Sequence, residues 1–171
     1  MKRKVISFLI ILACFLLQSA VFPRITFFTV KPNLLIIVTA SFGFMRGKKE
    51  GMQVGFICGI LMDVFWGGLL GFYALIYTTA GYMNGFFKRM FYEDIKLPLV
   101  MIAASELVYG LVVYFCLFML QGEFHFFYYL FHIILPELVY TILATIVLYQ
   151  IILQINRKLE AEEQRSASRF V

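Results

Sequence analysis

Asp63 and Glu106 are the carboxylates whose position could carry chemistry, because both sit inside apolar sequence. Asp63 interrupts GFICGILMDVFWGGLLGFYAL, residues 55–75, and no basic residue within a helical turn or two neutralises it. It precedes Trp66 by three residues, and an amphipathic tryptophan commonly marks the headgroup level of a membrane. That puts Asp63 about one helical turn below a surface. Three roles are open: accepting hydrogen bonds from backbone N–H groups of the Gly67-Gly68 turn or of the helix that follows, contacting a partner, or coordinating an ion or proton.

Glu106 lies deeper. Eight residues beyond Pro98, it falls roughly 12 Å along its segment at about 1.5 Å per residue. An ionisable group at that depth is a functional candidate and should face the bundle interior. No Lys or Arg lies within any apolar segment, so the expectation is a neutral carboxyl bonded to Tyr109, Asn84 or Ser105. A proton relay would call for a second polar group at matching depth or an unwound helix, and the sequence points to neither.

Other polar residues carry weaker signals. Glu137 follows Pro136, and a carboxylate in a first helical turn is favoured by the helix dipole. His125 and His132 are seven apart, with Glu123 nearby, a thin case for a metal. Cys14, Cys58 and Cys116 are scattered through apolar segments, the pattern of small packing residues rather than of a disulfide framework or a metal site. No nucleophile with its base, phosphate loop or zinc motif occurs, so neither enzyme activity nor a cofactor is expected.

The elements that must hold these residues follow from hydropathy. Of 171 residues, 62% are hydrophobic and 15% charged, with a mean hydropathy of +0.87; a soluble domain has about 45–50% apolar and about 25% charged residues. The excess recurs in blocks near membrane length, which predicts an all-α polytopic membrane protein. Cutting at charged and turn-rich punctuation gives six transmembrane helices at about 5–22, 33–45, 50–66, 69–87, 97–120 and 136–153, one domain over 1–155, and a mixed-charge tail over 156–171. The sixth is set to open at Pro136, since proline suits a first helical turn and not an interior; the aromatic FHFFYYLFHIIL before it is expected at the interface. The second is short: thirteen residues reach about 20 Å against a hydrocarbon core of about 30 Å.

With a cytoplasmic N-terminus, thirteen of the fifteen Lys and Arg fall in inner segments and only Arg24 and Lys31 outside. That asymmetry predicts both termini in the cytoplasm. It also answers the pI near 9.2, because the charge is spread over four short clusters and does not form a nucleic-acid surface. The MKRK start, apolar run and QSA resemble a signal peptide, and ILAC a lipoprotein cleavage site; the expectation is a retained first span. Gly51, Gly55 and Gly59, with Gly81 and Gly85, recur at helical spacing and let backbones approach closely, either within a hairpin or at a subunit interface.

The stretch from PNLL at 32–35 through RGKKEG, Gly55-x-x-x-Gly59-x-x-x-Asp63, Leu70-Gly71 and Gly81-Tyr82 resembles the MreD family of bacterial rod-shape-determining membrane proteins. Glu106 and Pro136 also sit where that resemblance puts them, whereas no family role attaches to Glu137. The resemblance implies a non-enzymatic scaffold of the cell-elongation machinery in the inner membrane. Its partners would be MreC and, with it, RodA, the partner transpeptidase and MreB, besides membrane lipid. It further implies a fold like the six-helix substrate-binding S-component of energy-coupling-factor transporters. A vitamin-binding subunit of that kind is the alternative, but WGGLLG and QGEFHFF offer few ligand-binding groups, so no small-molecule substrate is expected.

Overall fold

The computed structural model describes residues 2–22, 30–66, 69–90, 96–118 and 125–168. Among them every regular element is helical, and these residues form six helices. Helix α1 covers Lys2–Leu16 and continues as a π-helical turn, Leu17–Val21. Helix α2 is Leu34–Arg46, α3 is Lys48–Trp66, and α4 is Phe72–Phe86 with a tight last turn, Phe87–Met90. Helix α5 is Lys96–Val113 followed by a π-helical turn, Tyr114–Phe118. Helix α6 starts at Phe126–Tyr129, passes through a third π-helical turn, Leu130–Ile134, and runs on as Leu135–Ser168.

The short second helix is the hub. Every residue from Leu34 to Met45 is buried, and α2 contacts α1, α3, α4, α5 and α6. A helix apolar all round is one surrounded by protein or lipid; here the surroundings are the other five helices. It stops at Gly47, whose φ of 97° is a left-handed conformation that glycine adopts without steric cost. The Gly47 N–H returns to the Gly43 carbonyl oxygen at 2.8 Å, and α3 starts at the next residue.

Helices α3 and α4 form the most intimate pair. A Cβ at Gly55 would strike the Tyr77 carbonyl, at Gly59 the Ala74 backbone, at Gly81 the Gly51 carbonyl, and at Gly85 the Lys48 backbone. The glycine stripes therefore face each other inside the hairpin. Gly71, with φ of 99°, precedes α4; Gly67 and Gly68 lie outside the described residues.

The expected boundary at Pro136 is not where the sixth helix begins: α6 starts ten residues earlier and passes through the proline. Proline removes one i→i−4 hydrogen bond and its ring crowds the carbonyl four residues back, which here belongs to His132. That carbonyl sits in the π-helical turn Leu130–Ile134, where the wider ladder makes room. Part of the aromatic stretch placed at an interface is thus the first turns of the helix itself. Three helical segments, Arg3–Val21, Lys96–Phe118 and Phe126–Glu162, are long and apolar enough to cross a membrane.

Candidate functional site

Asp63 is on the last turn of α3 and only 2% exposed. One carboxylate oxygen, Oδ2, accepts the N–H groups of Gly71 and Ala74, each at 3.0 Å; Oδ1 accepts that of Tyr73 at 2.9 Å. These are first-turn donors of α4, the groups a helix leaves without internal partners, and the residue at the cap position, Gly71, has no side chain to offer. Asp63 caps α4 from the neighbouring helix, and the positive end of the helix dipole compensates its charge. Of the roles open to it, this geometry is the one drawn from the start of the following helix.

Glu106, also 2% exposed, is not bonded to the residues expected of it. Asn84 Nδ2 donates to Ser105 Oγ at 2.7 Å and to the Ala80 carbonyl at 2.9 Å. Tyr109 packs edge-on against Tyr77, ring centroids 5.6 Å apart. The polar side chains beside Glu106 are instead Thr141 and Asn33, while its Oε2 has no partner among the described residues. Ser105, the adjacent residue on α5, turns to another face and meets Asn84 there; Tyr109, one turn on, has its ring against Tyr77, and the groups nearest Glu106 come from α2 and α6.

Asn33 organises this cluster. Its Oδ1 accepts the Tyr77 hydroxyl at 2.8 Å and the Ile36 N–H at 3.3 Å, and its own N–H donates to Thr141 Oγ1 at 3.1 Å. The Leu35 N–H donates to Gln18 Oε1 of α1 at 3.2 Å. So N–H groups at the buried N-terminus of α2 are met by side chains of α1 and α6 and by its own cap, Asn33, and its dipole end lies beside Glu106. The polar neighbours and the helix start that the sequence did not point to are both present at this level. Asn33 and Thr141 were missed, because PNLL and VYTIL read as apolar segment ends with nothing to pair them.

Glu137 is inside α6, not in its first turn, is half-buried and lies near Glu106. His132 stacks on Tyr128 with centroids 4.5 Å apart, and its Nδ1 is 3.2 Å from the Tyr128 carbonyl oxygen. His125 is exposed, and Glu123 lies outside the described residues. Among the described residues no three metal-ligating side chains converge.

At the opposite end, Arg46 closes α2. Its Nε donates to Asn156 Oδ1 at 2.8 Å, and one guanidinium nitrogen donates to Ser7 Oγ at 2.9 Å and to Glu50 Oε2 at 3.2 Å. Lys88 Nζ caps its carbonyl at 3.0 Å. Burial, then the Arg3 charge, push the Arg46 pKa down, and Glu50 and Glu160 oppose them. One guanidinium thereby joins α1, α2, α3 and α6, with the α4 lysine on its backbone. The arrangement is built to hold helices together: carboxylate to backbone at one end, a polar knot in the middle, a guanidinium fork at the other.

The family model described as rod shape-determining protein MreD matches residues 2–159. No curated protein matches the chain, and no solved structure does.

Proposed function

The chain belongs to the MreD family of rod shape-determining membrane proteins, and from that premise we propose that it is a non-enzymatic scaffold of the cell-elongation complex. In this reading its helices bind MreC in the inner membrane and help to position RodA, the partner transpeptidase and MreB. The match over residues 2–159 is the observation that carries the reading. The chemistry of the buried polar groups supports it: Asp63 and Arg46 are spent on joining helices, as a rigid binding platform requires. Both termini are assigned to the cytoplasm on the asymmetry of Lys and Arg, thirteen to two.

Co-purification tests this directly. Affinity-tagged protein extracted in mild detergent is expected to retain MreC, and its depletion to turn rod-shaped cells round. Rods that persist on depletion, or a purified chain that binds a vitamin and no MreC, would overturn the proposal in favour of the transporter subunit.

A further inference from the structure

A cleft of about 440 Å³ opens beside the end of α3, within the size range of small-ligand pockets. Its walls carry charges of both signs. Lys31 brings an ammonium, held over the Trp66 ring at 4.7 Å from the centroid. Glu137 brings a carboxylate that has no hydrogen bond or salt bridge among the described residues. Gln18 adds donors: its Oε1 is fixed by the Leu35 N–H, which assigns Nε2 as the other amide atom, left for the cleft. Trp66 and the stacked pair Tyr128 and His132 supply ring faces. Gln18 and His132 both belong to π-helical turns, a distortion frequent at functional sites.

A half-buried carboxylate and an ammonium that do not pair with each other are complementary to a ligand carrying the reverse pair. A purely anionic ligand would face Glu137, and a purely cationic one would face Lys31. We propose that this cleft binds a compact zwitterion, its ammonium group on Glu137 and its anionic group on Lys31 and Gln18. The aromatic rings border the ammonium by cation–π attraction, and Val30, Met62 and Ile133 provide apolar contact for what the zwitterion is attached to. Tryptophan and tyrosine mark the membrane interface, the depth of phospholipid headgroups. A phosphoethanolamine lipid and a free zwitterion of the aqueous phase present the same chemistry there. The site goes beyond the scaffold reading and can fail without it.

Full-length protein in nanodiscs is titrated with tail-labelled phosphatidylethanolamine and, separately, phosphatidylglycerol. Phosphatidylethanolamine is expected to bind about tenfold more tightly, and Glu137→Gln and Lys31→Met each to remove most of that preference. Displacement by soluble phosphoethanolamine identifies the headgroup alone as sufficient. Failure to displace bound lipid identifies the lipid as the source; both support the site. Equal binding of the two lipids, binding of neither lipid nor of soluble phosphoethanolamine, or a preference unchanged in a folded variant overturns it. Lys31 sits at the rim with its head on Trp66, so Lys31→Met carries the test if Glu137→Gln does not fold.

Discussion

At the residue scale, two buried carboxylates are stabilised by opposite means, and substitution separates them. Asp63 is an acceptor for three backbone donors, and hydrogen bonds to a charged group contribute about 1.5–3 kcal/mol each in isolation. Because the bonds share one carboxylate, Asp63→Ala is expected to cost about 2–4 kcal/mol, near the sum of a lost cap and stranded donors. Asp63→Asn keeps one acceptor oxygen and should fall between. Thermal unfolding of the three proteins in detergent orders them, and an alanine variant as stable as wild type removes the capping role. Glu106, by contrast, has an oxygen without a partner, and its neighbours are a hydroxyl, an amide and a second carboxyl, Glu137. Glu106→Gln is expected to change stability by less than about 1 kcal/mol and to leave rod shape intact. Round cells with normal levels of folded protein would show that the acid itself is required. The Asp63 cap was legible in the sequence because donor and acceptor are eight to eleven positions apart, within one hairpin. The Glu106 cluster was not, because Asn33 and Thr141 lie on helices whose placement no local pattern fixes.

Elements show the same division. The mainly apolar α2 is readable as a segment, but not its reason: it starts at the level of Glu106 and is wrapped by five helices, so it need not be of full span length. Glycine spacing was readable too, and left open whether the stripe met its own hairpin or another subunit; backbone-to-backbone approach of α3 and α4 decides where the stripe is used. Gly55→Val places a side chain against the Tyr77 carbonyl, a backbone atom that cannot move alone. The cost is expected to be at least about 3 kcal/mol, at the top of the range for overpacking, read as loss of the folded fraction in size-exclusion chromatography. A normally folded Gly55→Val protein that has lost only partner binding would point to the subunit-interface role. Proline misled the placement of α6 for a definite reason: its preference for a first turn is statistical, and the π-helical turn around His132 supplies the one local adjustment that lets it sit inside a helix.

Taken whole, the molecule has two unlike ends, and their difference makes a prediction about orientation. One end gathers Arg46, Lys48 and Lys88, with Arg157 one residue beyond the Asn156 that Arg46 holds. The other gathers Trp66, Lys31, Tyr128 and the exposed Leu69 and Leu70. Helix α3 runs from the first end to the second, so the six-span reading sets the two ends on opposite sides of the membrane. The positive-inside bias acts on short loops near helix ends, the setting of Arg46 to Glu50, which predicts that the first end faces the cytoplasm. Single cysteines are introduced at Lys49 and at Leu70, two exposed positions, after replacement of Cys14, Cys58 and Cys116. In intact cells a membrane-impermeant maleimide is expected to label the Leu70→Cys protein at once and the Lys49→Cys protein only after permeabilisation. The reverse pattern would turn the molecule over. The zwitterion cleft would then face the cytoplasmic leaflet, and the basic end could no longer meet a cytoplasmic filament.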